Sequence, residues 1–337
     1  FGTILLQLAI KFQTGPTLNR LLVLRRTHVQ FLTMAKKTKI KFTPQDHVEL
    51  MMKHDMVDFK AAADVTNGKF AGLKNGGAFL EMALINWSMA EAAKQGFTPV
   101  MTPDLVHIKV AEACGFKPRS KNSENYLIEG KDNLILTGTA EIPLAGMFID
   151  KVYDAKDLPI KVIGSGHAFR KESGRKQLKR KGMTNRGLYR VRQFAKTEMF
   201  VICKEEDSEK WHQQLLDIQG EMMKQLNVHY RVLEMPSEEL GKTLYRKFDI
   251  EAWMPGRDNY GEVTSCANCL DHQSRRLSIQ YKDTNGKMKF AHTLNATSVA
   301  VPRMILTILE NYQDEKGNIK IPPPLEPYYF GPKLQVE

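Results

Sequence analysis

The chain has 337 residues, 42% of them apolar and 26% charged. That composition suits a soluble fold with a sizeable core and excludes disordered and fibrous classes. Lys and Arg outnumber Asp and Glu by 49 to 38, a formal charge of +11, which favours a polyanionic partner such as nucleic acid or nucleotide phosphates.

The chain opens on Phe1 rather than methionine, as expected of a fragment or a processed form. Residues 1–44 contain no Asp or Glu but carry Lys11, Arg20, Arg25, Arg26, Lys36, Lys37, Lys39 and Lys41. An apolar, basic, acid-free leader has the make-up of an organellar transit peptide. A plain basic extension, or the remnant of a missing N-terminal region, stays open beside it. No run on the order of 18 apolar residues occurs, so no transmembrane helix and no membrane partner are expected.

Acids first appear at Gln45-Asp46. No Gly/Ser linker, repeat or low-complexity tract follows, so residues 45–337 read as one domain. Ala78 to Lys94 reads as a helix with Phe79, Met82, Ile85, Met89 and Ala93 on one stripe, stopped by Gly96. Asp207 to Leu226 reads as a second, with Trp211, Leu215, Ile218 and Met222 inward and an Asp207-Ser208 start suited to capping. A third runs from Met304 to Tyr312. Strand-like runs occupy Lys161–Phe169, Leu188–Cys203, Val228–Leu233 and Leu277–Tyr281. Strands and helices without regular βαβ alternation predict an α+β fold, an antiparallel β-sheet flanked by helices. No P-loop or dinucleotide-binding glycine pattern is present.

The stretch "RKESGRKQLKRKGMTNRGLYRVRQF" lies between two strand-like runs. From Arg170 to Arg192 it holds ten Lys or Arg and one acid, Glu172. Gly174, Gly182 and Gly187 allow a long, bent connection. On the return strand, alternation puts Arg190, Arg192, Phe194, Lys196 and Glu198 on one face and Tyr189, Val191, Ala195, Thr197 and Met199 on the core side. Cations, a ring and a carboxylate in a row can neutralise phosphates, stack a base and hold an amine. A solvated outer face is the competing reading.

Four cysteines, Cys114, Cys203, Cys266 and Cys269, are too few for a disulfide framework and fit a reducing compartment. Cys266-Ala-Asn-Cys269 is a lone CxxC with no second pair, so no zinc is expected.

The segment "FRKES…RGLYRVRQFAKTEMF" (169–200) resembles motif 2 of class II aminoacyl-tRNA synthetases. "GFTPVMTPDLV" (96–106) resembles motif 1, and "HTLNATSVAVPRMILTILENYQ" (292–313) resembles motif 3. With "QDHVELMMKHDMVDF" (45–59), "TGTAEIPL" (137–144), "YGEVTSCANCLDHQSRR" (260–276) and "IKIPPPLEPY" (319–328), the blocks are similar to seryl-tRNA synthetases across 45–330.

The resemblance implies a class II catalytic fold with six or seven antiparallel strands and a homodimer formed through motif 1. It implies L-serine, ATP with Mg2+, and tRNA(Ser) as reactants, and a serine–tRNA ligase activity. Arg170, Arg303 and Glu262 then stand at the catalytic positions. ATP contacts fall on Arg170, Lys171, Glu172, Val191, Phe194, Glu262, Val263, Thr264, Ser265 and Arg303. Phe194 is expected to stack on adenine and Glu172 to accept from its amino group. Glu262 and Ser265 are expected to hold Mg2+, as carboxylate and hydroxyl oxygens suit a hard cation. Residues three apart face opposite sides of a regular strand, so that pair requires a bulge or a strand end. The serine pocket falls on Thr139, Ala140, Glu141, Arg170, Glu198 and Thr297, with Glu198 for the ammonium group. The tip of the basic loop, Arg175, Lys176, Lys179, Arg180 and Lys181, is expected either to track tRNA phosphates or to be merely solvated.

Two departures stand out. Motif 3 reads "NATSVAVPR", with Ala296, Thr297, Ser298 and Pro302 where the family pattern is "NGSGLAVGR". This variant looks like mitochondrial seryl-tRNA synthetases, so a mitochondrial matrix location is expected, with a cytoplasmic one as the alternative. Arg192 stands where many members have His. The long N-terminal coiled coil of the family has no heptad counterpart in 1–44. Two rivals remain: a ligase that loads a carrier protein, and a non-catalytic RNA-binding paralogue. The first uses zinc. The second is disfavoured by the joint presence of Arg170, Glu198, Glu262 and Arg303.

Overall fold

The computed structural model describes residues 29–34, 40–130, 132–172 and 186–336. Its frame is an eight-stranded sheet: β1 (Val29–Met34), β2 (Thr98–Met101), β3 (Ile160–Phe169), β4 (Gln193–Cys203), β5 (Tyr230–Glu234), β6 (Arg246–Met254), β7 (Asn259–Asn268) and β8 (His292–Ala300). Their order in space is β1-β5-β6-β7-β8-β4-β3-β2. Every neighbouring pair is antiparallel except β2 with β3, which is parallel, so the sheet is mixed rather than purely antiparallel. Residues after 44 supply seven strands, and the eighth, β1, comes from the acid-free leader.

One face of the sheet is covered by α2 (Gly76–Lys94), α4 (Ser208–Gln225) and α5 (Val301–Asn311). Ile250, Ala252, Val263, Ala195 and Val299 meet Leu80, Leu84, Trp87, Met222, Ile305 and Leu309 there. α1 (His47–Lys53) adds Leu50 and Met51. Asp46 caps α1, its Oδ1 accepting from the Val48 and Glu49 amides at 2.8 and 3.1 Å. Among the described residues the opposite face is covered at one end only. There Phe200, Ile202 and Val162 pack under short helices at 108–113 and 272–277 and under α3 (Glu141–Gly146). The other end of that face is where the motif residues gather.

The helices fall where expected, but the inward face of α2 does not. In α2 the buried residues are Leu80, Ala83, Leu84, Trp87 and Ala92, while Met82 is 56% exposed and Ala93 is exposed. The helix is apolar nearly all round, so several stripes fit its sequence and packing selects among them. In α4, Leu215 and Met222 face inward as expected, and His212 and Gln219 join them. Asp207 makes no capping bond; its carboxylate pairs with Lys204 at 3.3 Å. α5 starts at Val301 and takes Pro302 into its first turn, where a missing N–H removes no helical bond. That turn accommodates the unusual proline of motif 3.

The strand limits also shift. β4 begins only at Gln193, because Gly187 (φ +60°) opens a 3₁₀ turn over Gly187–Tyr189. Leu277 ends a helix, and the strand near it is Gln280–Lys282. Gly77 sits in the first turn of α2 against the Met56 backbone, where any Cβ would overlap the Met56 carbonyl oxygen. Backbone cannot yield as a side-chain end can. Gly77→Ala is therefore expected to cost roughly 1–3 kcal/mol, measured as a lower urea midpoint with an unchanged slope.

Candidate active site

The open end of the sheet is a charged cleft of about 110 Å³, bounded by β4, β7, the start of α5 and the turn before β4. Ten sequence-predicted residues line it: Arg170, Glu172, Val191, Phe194, Glu262, Val263, Thr264, Ser265, Thr297 and Arg303. A separate hollow near the C-terminus, lined by Tyr312, Ile319, Tyr329 and Leu334 among others, holds none of them.

Alternation on β4 delivers Phe194, Lys196 and Glu198 to one face and Ala195, Thr197 and Met199 to the other. The expected pattern does not extend upstream of Gln193, where the chain leaves the strand. Tyr189, expected in the core, packs against it and also lines the cleft, its ring 3.8 Å from the Arg257 guanidinium and 4.9 Å from that of Arg303. Arg190 turns back to pair with Glu172 at 3.0 Å. Glu172 itself has φ +50°, a left-handed backbone uncommon for a non-glycine residue.

Arg170 follows the end of β3. Its amide donates to the Arg192 carbonyl at 2.8 Å, which zips the base of the basic loop. Its guanidinium lies 5.4 Å from the Phe194 ring centre, and its Nε donates to the Gly138 carbonyl at 3.2 Å. Burial, and then the neighbouring Arg303 charge, lower its pKa. Arg303 enters from α5. Its Nη1 donates to the Glu262 carboxylate at 3.1 Å and to the Glu262 carbonyl at 2.9 Å. Burial works against both charges. The pairing outweighs it, so the Arg303 pKa rises and that of Glu262 falls.

β7 has the irregularity that its motif requires. Opposite β6 the register steps from Ile250↔Thr264 to Glu251↔Glu262, which leaves Val263 as an extra residue. A second bulge lies in β8, where Thr297 and Val299 pair with consecutive β4 residues and Ser298 is extra. The two are joined from α4: the Gln219 side-chain amide lies 2.6 Å from Thr264 Oγ1, 2.8 Å from the Ser265 carbonyl and 2.7 Å from the Thr297 carbonyl. Thr264 Oγ1 donates to the Thr297 carbonyl as well. Its hydroxyl is thereby committed to the fold.

Deeper along β4, Glu198 is 2% exposed and pairs with Lys196 at 2.6 Å. Thr297 Oγ1 donates to Glu198 at 3.4 Å. Thr139, Ala140 and Glu141 lie at the start of α3, where Thr139 Oγ1 accepts from the Glu141 amide at 3.4 Å. The Glu141 carboxyl accepts from Gln273 Nε2 at 2.6 Å, and Gln273 Oε1 accepts from Thr293 Oγ1 at 2.7 Å. Burial, and then the Glu198 charge, push its pKa from 4.5 up to about 7.

Some placements differ from the sequence reading. The Lys171 ammonium sits 5.9 Å over the Tyr126 ring, away from the cleft wall. The loop tip with Arg175, Lys176, Lys179, Arg180 and Lys181 lies outside the described residues. Sequence reasoning missed Lys196 as the partner of Glu198, and Asp249, which faces Ser265 across the ladder and pairs with Lys247 at 2.7 Å. Burial, then Glu262, raise the Asp249 pKa to about 6. Its position inside an apolar-looking strand, "KFDIEAWM", was the available signal. Cys266 and Cys269 are buried, and the Cys266 thiol donates to the His212 carbonyl at 3.6 Å. Among the described residues no three His, Cys, Asp or Glu side chains gather as a metal-holding group.

Residues 123–312 match the family model described as the tRNA synthetase class II core domain (G, H, P, S and T). The serine–tRNA ligase of Borrelia garinii subsp. bavariensis is 48% identical over 293 residues, 86% of this chain and 67% of that protein. The chain belongs to the seryl-tRNA synthetase family. Its fold is that of the class II catalytic core, and the activity of the family is that of a ligase joining serine to tRNA. The seryl-tRNA synthetase from Pyrococcus horikoshii, solved in complex with ATP, superposes with a TM-score of 0.82 at 38% identity, covering 88% of this chain and 66% of that one. The cytoplasmic serine–tRNA ligase from Naegleria fowleri, solved with AMP, gives 0.83 at 28% identity, covering 92% and 73%. This chain thus spans about two thirds of the length of the bacterial relatives it matches.

Within that synthetase fold the raised Glu141 pKa has a thermodynamic consequence. The native carboxyl keeps its proton up to about 7, whereas an unfolded one releases it near 4.5. Between those values the native state binds more protons, so this group's stabilising contribution is complete below 4.5 and is lost as pH rises through 7. Glu141→Gln cannot ionise. It is expected to melt above the parent at pH 8 and to lose that advantage at pH 5, read by differential scanning fluorimetry.

Proposed function

We propose that this cleft joins serine to ATP and then passes the seryl group to the 3′ end of tRNA(Ser). The observation that carries the assignment is the convergence of Arg170, Phe194, Glu262 and Arg303 on one cleft, with Arg190 paired to Glu172 and Arg303 to Glu262 beside the guanidinium-to-ring contact of Arg170 and Phe194. In the first step a serine carboxylate oxygen attacks the α-phosphorus of ATP. An acyl–phosphate bond forms, the bond to the β-phosphate oxygen breaks, and pyrophosphate leaves. The reacting atoms are held by positioning and charge rather than by covalent chemistry.

Arg170 is placed to bridge the serine carboxylate and the α-phosphate, since its planar fork matches both oxyanions. Phe194, already stacked by Arg170, offers its ring to adenine. Glu172 is held by Arg190 where a carboxylate can accept from the adenine amino group. Arg303 is assigned the γ-phosphate end. Glu262 and the Ser265 hydroxyl, with Asp249 behind them, form a hard-oxygen donor set that fits Mg2+. When bound, Mg2+ would neutralise phosphate charge there. Glu198 is assigned the serine ammonium group, while Thr297, Thr139 and Glu141 bound the hydroxyl pocket. A pocket that demands a hydrogen bond from that hydroxyl rejects alanine, because its own buried groups would be left unpaired.

The partners and location belong to the same reading. We infer a homodimer through motif 1: β2 is one edge strand of the described sheet, and Met101 in it and Leu105 just after it are 79% and 46% exposed. tRNA(Ser) is the acceptor, with the basic loop as its electrostatic guide. The acid-free leader and the "NATSVAVPR" variant support a mitochondrial matrix enzyme, with the cytoplasm as the alternative. No described helix is long and apolar enough to cross a membrane.

Serine-dependent ATP–pyrophosphate exchange tests the adenylating step. Exchange is expected with serine and not with alanine, glycine or threonine. Arg170→Ala is expected to lower its rate about 100-fold or more, and exchange without serine dependence would overturn the assignment. Met101→Glu is expected to shift the sedimenting species from two chains to one, and an unchanged dimer would move the interface elsewhere.

A further inference from the structure

Three consecutive residues at the start of α1, the last of them its first helical residue, tie the end of α5 to the return limb of the basic loop. The Gln45 amide donates to Gln313 Oε1 at 2.8 Å, and Gln313 Nε2 donates back to the Gln45 carbonyl at 2.9 Å. Asp46 pairs with Arg186 at 2.5 Å. His47 is 2% exposed and lies between the two elements. Its Nε2 accepts from the Leu188 amide at 3.2 Å, so its proton resides on Nδ1, which donates to Glu310 Oε1 at 3.2 Å. Glu310 is fully buried and also accepts from the His47 and Gly256 amides at 3.2 and 2.9 Å.

The next link reaches the cleft. Leu188 is followed by Tyr189, whose carbonyl accepts from Arg303 Nε at 3.4 Å and whose ring lies 4.9 Å from the Arg303 guanidinium. Gly187 permits the approach: its φ is +60°, and any Cβ there would overlap the His47 ring. The imidazole is suited to this place because it carries a donor and an acceptor on opposite sides of one rigid ring.

We propose that His47 is a positioning residue for the triphosphate end of ATP. Its neutral ring, oriented by Glu310, fixes the Leu188–Tyr189 turn and, through Tyr189, the aim of Arg303. It does not line the cleft and touches no substrate. The inference rests on the assignment of Arg303 to the γ-phosphate. It therefore separates ATP from AMP: loss of the latch weakens a ligand with a γ-phosphate and spares one that ends at the α-phosphate. A residue that served only to fill the core would weaken both alike.

The test is equilibrium binding of ATP and of AMP, each with Mg2+, to the full chain by isothermal titration calorimetry. His47→Asn keeps a donor near Nδ1 and removes the distal acceptor. His47→Gln offers an amide oxygen to the Leu188 amide. Asn is expected to weaken ATP about tenfold, the scale of one buried bond left unmade, with AMP held within about twofold; Gln is expected to recover most of the loss. Unchanged ATP binding in the Asn variant, equal losses for ATP and AMP, or a Gln variant no better than Asn would each overturn the proposal. Where the Asn variant shows no melting transition, Glu310→Gln carries the test: an ATP-selective loss supports the latch, and a uniform loss or none overturns it. Serine-dependent exchange by the parent chain is measured alongside. ATP binding without exchange would sink the ligase assignment and leave the His47 question to the binding data.

Discussion

The geometry of the cleft depends on two extra residues, Val263 in β7 and Ser298 in β8. In a regular strand Glu262 and Ser265 would face opposite sides of the sheet. The bulge at Val263 restores them to one side and sends the Val263 side chain into the core. The bulge at Ser298 lets Thr297 face Glu198 across the ladder while Val299, two residues on, joins the core on the other face. Bulges leave ladder groups unpaired, and a buried unpaired carbonyl is costly. Gln219 meets that cost from α4, sharing its two N–H donors among Thr264 Oγ1 and the carbonyls of Ser265 and Thr297. A polar side chain on the inward face of a helix is thus the support on which both active strands rest.

Charge is handled by the same economy of partners. Arg303 with Glu262, Lys196 with Glu198 and Arg190 with Glu172 are matched within the protein itself. Removing one member of such a pair strands the other in a poor solvent. Joint retention of Arg170, Glu198, Glu262 and Arg303 is therefore not by itself a sign of a bound ligand, since Arg303 and Glu262 compensate one another, as do Lys196 and Glu198. What separates the ligase from a decayed paralogue is the shape of the cleft and the serine–tRNA ligase relatives, rather than burial cost. Glu141 shows the limit of the scheme. With Glu198 nearby and burial dominant, its carboxyl rises to a pKa of about 7.

Most of this was legible in the sequence where one face of an element is buried and the other carries charge. Phe194, Lys196 and Glu198 alternate cleanly because β4 is a central strand with different environments on its two sides. The same rule stops applying before Gln193, where Gly187 turns the backbone out of the strand and Tyr189 packs on the core while also lining the cleft. Periodicity also failed in α2, since a helix apolar nearly all round does not declare which stripe faces in. The need for a bulge near Glu262 followed from the spacing of Glu262 and Ser265 once the family resemblance gave both residues to one ion. Gln219, His212 and Asp249 could not be ranked from sequence, because a polar residue within an apolar element reads equally as a surface position or as a buried support.

The segment from Gln45 to His47 explains why the catalytic unit extends so far toward the N-terminus of the chain. α1 contributes little apolar area beyond Leu50 and Met51. Its value lies in the polar bonds just before and at its first residue, which join two motifs distant in sequence: the return limb of motif 2 and the end of the motif 3 helix. Each motif presents a guanidinium to the cleft, Arg170 from the near limb of the loop and Arg303 from the helix. Two like charges so placed repel, and the Arg170 pKa falls in part through Arg303. Apolar packing is non-directional and does not set their relative aim. Directional bonds from a third element do, and these are what Gln45, Asp46 and His47 supply.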